Sequence, residues 1–221
     1  MSADVAAFVR DKLGHEPKDI ALFELALMHS SLGNESYERL EFLGDRVLGV
    51  VIANALYARY PKEPEGNLSK RYNGLVDRAT CAENGREIGL PALIRLGKQA
   101  REDGANQSEN VVGDVIEALI GALYLDGGMD AAERFILRLW GPDLSSQARA
   151  PQHPKSALQE LAAARNFKAP VYEVVSRTGA HHAPMFTVRV SVPRLGEATA
   201  DGPSKQDAET AAAEALLSQL K

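Results

Sequence analysis

Apolar positions in the first 140 residues recur at the spacing of an amphipathic helix, roughly every third or fourth residue. Val5 to Leu13 follows this rule and stops at Gly14. Asp19 can cap Ile20 to Met28, its carboxylate accepting from the free N–H groups of the first turn. Glu38 to Tyr60 is a long periodic stretch closed by Pro61. Gly66-Asn67 precedes a short helix, Leu68 to Asn73, and Asp77 can cap Arg78 to Ile88. The segment GKQAREDGAN, Gly97 to Asn106, carries no apolar period and reads as a loop. Ser108 to Leu125 is a strong helix, Gly127-Gly128 breaks it, and Asp130 to Leu139 ends the block. No convincing strand precedes residue 150.

The pattern then changes. GPDLSSQARAPQHP, Gly141 to Pro154, holds three prolines and no apolar period, as a linker would. Lys155 to Arg165 is helical. Val171 to Ser176 and Phe186 to Val192 are rich in Val, Tyr, Phe and Thr and read as strands. A weaker strand, Glu197 to Ala200, precedes Gly202-Pro203, and an Ala-rich helix runs from Ser204 to Leu220. The expected fold is an all-α N-terminal domain over residues 1–140, a linker over 141–153, and an α+β domain of order α-β-β-β-α over 154–221.

Composition narrows the function classes. A hydrophobic fraction of 45% and a charged fraction of 25% suit a soluble globular protein and exclude disorder over the whole chain. No run approaches the roughly 18–20 apolar residues of a membrane span, and the N-terminus lacks the basic-then-apolar pattern of a signal peptide. The lone cysteine, Cys81, excludes an intramolecular disulfide and a Cys-based zinc site; it reads as a small buried residue. With nothing favouring export, a reducing cytoplasm is the expected compartment, with no membrane partner. A net charge of −5 is an unpromising start for a nucleic-acid binder. The charge is uneven, however: residues 1–152 hold 17 Lys and Arg against 23 Asp and Glu, whereas residues 153–221 hold 8 against 7 and three of the five His.

The acidic part contains a pattern. In ERLEFLGDRVL, Glu38 to Leu48, a rotation of about 100° per residue puts Glu38, Glu41 and Asp45 within an arc of about 60°. Leu40, Leu43 and Val47 fall on the opposite face. A like-charge i,i+4 pair such as Glu41 and Asp45 costs a helix only about 0.2–0.5 kcal/mol, so a solvated acidic face remains open. Asp114 and Glu117 form a second pair, i,i+3, in a segment apolar almost all round, where unpaired carboxylates are expensive. No Lys or Arg lies between Arg101 and Arg134. Oxygen-rich, hard ligand sets suit Mg²⁺, and no His/Cys cluster suggests zinc. The competing account is a solvated face plus a buried pair satisfied by Arg39, Arg46 or backbone.

ERLEFLGDRVL resembles the signature of the bacterial ribonuclease III family. The resemblance extends upstream through ALMHSS, Ala26 to Ser31, and downstream through EGNLSK, Glu65 to Lys70, and VGDVIEA, Val112 to Ala118. It implies an endoribonuclease that cleaves double-stranded RNA with Mg²⁺ (Mn²⁺ able to substitute), works as a homodimer and leaves 5′-phosphate and 3′-hydroxyl ends. It implies metal ligands at Glu41, Asp114 and Glu117, with Asp45 completing the catalytic cluster beside Glu117, and further acidic site positions at Glu38 and Glu65. Ribosomal-RNA precursors and structured messengers are the substrates it suggests. Tyr37 departs from the family's usual Asn before the signature Glu. His29 can cap or pack, or donate to a site carboxylate. Phe42 can pack in the core or at the dimer interface, which the resemblance favours.

The C-terminal order resembles a double-stranded RNA-binding domain, with KSALQE, Lys155 to Glu160, as its first helix, GAHHAPMF, Gly179 to Phe186, as the first inter-strand loop, and SKQDAE, Ser204 to Glu209, opening the last helix. A-form RNA is read by shape across its minor grooves, through 2′-hydroxyls and phosphates. Gln159 and Glu160 suit one minor groove, His182 the next, and Lys205 with Ser204 at a helix N-terminus suits phosphate. Taken alone, Ser204-Lys205 is a simple helix cap. Ala200 and Gln206 depart from the usual Gly and Lys or Arg. The alternative function is a dimeric double-stranded RNA-binding protein that does not cut; the full set of acids argues against it.

Overall fold

The computed structural model describes residues 2–33, 35–146, 154–180 and 183–220. The chain divides into two compact units, Met1–Pro151 and Gln152–Lys221.

The first unit is helical: α1 (Ser2–Phe8), α2 (Ile20–Ala26), α3 (Glu38–Arg59), α4 (Glu65–Leu75), α5 (Arg78–Glu87), α6 (Lys98–Glu102) and α7 (Glu109–Ser146). A π-helical turn, Val9–Leu13, extends α1 and ends at Gly14 in the left-handed region (φ 71°). No strand occurs among the described residues of this unit; Met28 and Arg95 form one isolated bridge. Asp19 and Asp77 cap α2 and α5 as their spacing predicts, accepting from the backbone N–H of Ala21 and Thr80. α7 is interrupted at Gly128, whose φ of 76° and ψ of −177° are non-helical, where the Gly-Gly pair predicts a break.

Three readings in this unit need correction. Gly97 to Asn106 is not a plain loop: α6 and a 3₁₀ turn, Ala105–Gln107, occupy most of it. Its apolar residues against the core are small alanines, Ala100 and Ala105, which give no visible period. α4 begins at Glu65 rather than Leu68, because Gly66 sits within the helix and does not break it. α7 runs through Pro142 to Ser146, into the stretch read as linker, with Leu144 buried and its carbonyl accepting from the Tyr60 hydroxyl at 3.4 Å. Residues 147–153 lie outside the described residues.

The middle of α7 is the centre of the unit. Val112, Val115, Ile116, Leu119, Ile120 and Leu123 are fully buried against α3 and α5. Two glycines allow α3 and α7 to touch along their backbones. A Cβ on Gly44 would lie 1.7 Å from the Glu117 carbonyl oxygen, and one on Gly121 would lie 2.3 Å from that of Leu40. At the far end of this segment, buried Asp126 accepts from the backbone N–H of Lys18 (2.9 Å) and Asp19 (2.7 Å) and pairs with His15 at 2.6 Å. Burial pushes the Asp126 carboxyl up, but these hydrogen bonds outweigh it and hold it below its ordinary range. Below α3, the Arg71 guanidinium is buried in a bidentate pair with Glu63 and stacked 3.8 Å over the Tyr60 ring.

The second unit follows the predicted order: α8 (Pro154–Ala164), β1 (Val171–Ala180), β2 (Ala183–Val192), β3 (Gly196–Gly202) and α9 (Lys205–Ser218). The sheet is antiparallel in the order β1-β2-β3, with Val188 opposite Ala200 and Phe186 opposite Gly202. Leu158 and Ala162 of α8, Val190 and Val192 of β2, and Ala212, Ala213 and Leu216 of α9 make its core. Gly202 touches the start of α9, where a Cβ would meet the Ala208 nitrogen at 2.4 Å, whereas the departure at Ala200 places a methyl against the core.

The backbone crossing yields a prediction. Gly121→Ala should force α3 from α7 and destabilise the first unit by about 3 kcal/mol, read by thermal denaturation. A variant that melts like wild type would show that the crossing relaxes freely.

Candidate active site

The N-terminal half of α3 crosses the middle of α7 with Glu41 facing Asp114 and Glu117. A carboxylate oxygen from each of these three lies within 4.8 Å of the others. They line a cavity of about 290 Å³ with Asp45, Val76, Arg78 and Gly113. All three carboxylates are half-buried. Glu38, one turn earlier, is exposed and lines a different groove, with Leu25, Leu43 and Leu125. Glu65 is the first residue of α4 and accepts from the Ser69 hydroxyl at 2.6 Å. Glu41, Asp45, Asp114 and Glu117 are therefore brought together, and Glu38 and Glu65 lie outside the cavity. The helical arc that groups Glu38 with Glu41 and Asp45 does not by itself place all three in one site.

Crowding shapes the electrostatics. Burial, then the charges of Glu41 and Asp114, push the Glu117 carboxyl up to about 7. Burial followed by Asp114 raises Glu41, and burial raises Asp114 against the pull of Arg78. Three acids held together under this penalty are a donor set in want of a cation, and their all-oxygen chemistry fits a hard divalent ion.

The residues 19–144 match a family model described as Ribonuclease-III-like, and 154–220 match the double-stranded RNA binding motif. Ribonuclease 3 of Zymomonas mobilis is 58% identical over 214 residues, covering 97% of this chain and 87% of that protein. The chain belongs to the ribonuclease III family. Ribonuclease 3 of Caulobacter vibrioides is 43% identical, covering 93% of this chain and 92% of its own. The solved nuclease domain of ribonuclease III from Campylobacter jejuni superimposes with a TM-score of 0.60 at 32% identity, covering 63% of this chain and 96% of that one. A second structure of that domain, described for flexibility in a region involved in dimer formation, gives a TM-score of 0.59 at 34% identity over 60% of this chain and 93% of that one. The protein is thus a ribonuclease III family endoribonuclease acting on double-stranded RNA, and the family is metal-dependent.

Several side chains around the ribonuclease III acids escaped the sequence reading. The cation facing Asp114 is neither Arg39 nor Arg46: Arg46 pairs with its neighbour Asp45, and Arg78 of α5 approaches Asp114 Oδ1 at 3.9 Å. The sequence reading offered arginines of α3, whereas the partner comes from α5, whose packing against α7 no local spacing reveals. Tyr37, noted only as a departure, is buried and donates its hydroxyl to Asp114 Oδ2 at 3.4 Å. Burial and the neighbouring carboxylates raise its pKa, so it stays a neutral donor. Cys81 is buried as expected, but its thiol also lies 3.7 Å from Glu117 Oε1, placed to donate to it. His29 caps the turn Ser30–Leu32, its Nδ1 accepting from the Ser31 N–H, and meets the Tyr37 ring edge-on. Phe42 is 65% exposed and so is not part of the core.

In the second unit, Gln159 and Glu160 are exposed on α8. Ser204 caps α9, accepting from the Asp207 N–H and donating to its carboxylate at 2.6 Å. The Lys205 side chain is 63% exposed, its ammonium 3.8 Å from Glu209. His182 lies outside the described residues.

Groups that orient ligands typically change metal affinity about 10- to 100-fold when removed. Tyr37→Phe is accordingly expected to raise the divalent-ion concentration for half-maximal cleavage about tenfold and to leave melting unchanged. A metal titration superimposable on wild type would show that the helix alone holds Asp114.

Proposed function

We propose that this protein hydrolyses phosphodiester bonds of double-stranded RNA in the cytoplasm, leaving 5′-phosphate and 3′-hydroxyl ends, with Mg²⁺ as cofactor and Mn²⁺ able to replace it. The observation that carries the reading is the convergence of Glu41, Asp114 and Glu117 within 4.8 Å at the wall of one cavity. In this reading these three hold the cation, and Asp45 at the same wall orients ligands or water. A bound divalent ion would supply charge neutralisation at the phosphate and make water a stronger nucleophile. The protein's part is positional: Tyr37 and Cys81 hold the α7 carboxylates from neighbouring elements, and the glycine crossing fixes their distance from Glu41. Glu38 and Glu65, outside the cavity, suit contacts to RNA or to a second subunit. A homodimer is proposed with Phe42, Leu125 and Met129 among the exposed apolar residues available to it. The Campylobacter jejuni domain is described as having a region involved in dimer formation, which supports a dimer here. Ribosomal-RNA precursors and structured messengers are the proposed substrates.

The second unit would deliver the duplex, with Gln159, Glu160 and His182 toward minor grooves and Ser204 and Lys205 toward phosphate. Each phosphate contact adds about 0.7–0.9 to the slope of log affinity against log salt. Lys205→Ala should flatten that slope by about 0.9 in a duplex gel-shift series across salt concentrations. An unchanged slope would remove Lys205 from the interface.

The deciding experiment is cleavage of a labelled RNA duplex with Mg²⁺ and with EDTA, beside Glu117→Gln. Cuts bearing 5′-phosphates are expected with Mg²⁺ alone, and the variant should lose on the order of a hundredfold or more in rate. Duplex binding without cleavage by the folded wild type, under several divalent metals, would favour the non-cutting RNA-binding reading.

A further inference from the structure

Arg78 is the one basic side chain among the described residues that line the acidic cavity. It opens α5 immediately after the capping Asp77, so its Cα is held by the cap. Its stem lies over Gly113, where a Cβ would sit 3.4 Å from Arg78 Cγ, and 55% of the side chain is exposed. The guanidinium reaches Asp114 Oδ1 only at 3.9 Å, too far for a hydrogen bond, with no bidentate geometry. This is a long, solvent-accessible pairing, which binds weakly. Arg46 pairs with Asp45.

We propose that Arg78 serves two anions in turn: it is the resident counter-cation of the Glu41–Asp114–Glu117 cluster in the metal-free protein, and it turns to a non-bridging phosphate oxygen of the RNA when a divalent ion takes its place. The inference rests on the metal-dependent nuclease reading above and adds a residue to it. The geometry suits both tasks. A guanidinium carries planar donors matched to phosphate oxygens. Pairing through one long contact allows release, and the wall position leaves the head facing the space the substrate must enter. The acids repel RNA until they are neutralised, so a cation that stays at the wall gives the phosphate an attractive partner there.

The two roles predict opposite effects from one substitution. Arg78→Gln removes a charge that competes with the metal, so Mn²⁺ alone, titrated by calorimetry into the RNA-free full-length protein, should bind about threefold to tenfold more tightly. The same variant should cleave a labelled duplex about tenfold or more slowly at saturating Mg²⁺ in single-turnover conditions. Arg78→Lys keeps the charge, so its Mn²⁺ affinity should stay near wild type while cleavage recovers in part. Thermal melting should be unchanged in both variants; a purely structural role would lower melting, metal affinity and rate together. Unchanged or weaker Mn²⁺ binding by Arg78→Gln, or wild-type cleavage at saturating Mg²⁺, overturns the proposal while leaving the nuclease reading intact. Mn²⁺ binding by the wild type no tighter than that of Glu117→Gln would overturn both.

Discussion

Two helices meet at their backbones, and the clustering of the acids depends on that approach. Ordinary helix pairs stand 8–10 Å apart because side chains intervene. Here Gly44 and Gly121 remove the intervening atoms, and carbonyl oxygens of each helix occupy the space a Cβ would need on the other. The distance between Glu41 and the Asp114–Glu117 pair is thereby set by main chain. Main-chain separation is stiffer than side-chain rotamers, so carboxylates that repel one another can move apart only by turning about their own side-chain bonds. The energetic cost is borne by the apolar packing of α7, whose residues around the acids are fully buried.

The acids are therefore held in a costly arrangement by a core indifferent to their charge. That is the usual relation between a stable scaffold and a strained functional group. The neighbours lessen the cost without removing it. Tyr37 and Cys81 offer neutral donors, Arg78 a distant charge, and none of them satisfies the whole cluster. A cluster fully neutralised by protein would have little use for a metal.

What could be read from the chain follows from distance along it. Residues three or four apart on one helix keep their relation in any fold, so Glu41 with Asp45 and Asp114 with Glu117 were legible as pairs. Their convergence needed the crossing of helices about 70 residues apart; the chemistry of the two pairs suggested a shared metal site, and the family resemblance named its members. Arg78, Tyr37 and Cys81 come from other elements, and nothing in their local sequence points at an acid. Glu38 shares the helical arc yet lies outside the cavity, because a shared angle ignores position along the axis: Glu38, the first residue of α3, is about 10 Å of helix rise from Asp45. Among the elements, capped helices were read well. The end of α7 was missed because composition sees three prolines, whereas the helix is held by one leucine, Leu144, and the Tyr60 hydroxyl on its carbonyl. The strands were recognised from their β-branched and aromatic content, though β1 runs four residues past Ser176 to Ala180.

The burial of Cys81 bears on how the centre withstands oxidation. Peroxides and electrophiles attack thiolates, and the thiolate here is disfavoured twice, by exclusion of water and by the adjacent Glu117 charge. The only sulfhydryl in the chain thus stands beside Glu117 in its least reactive form. Oxidation there would place a bulky polar group against Glu117, and the packing that orders the site also keeps the oxidant out.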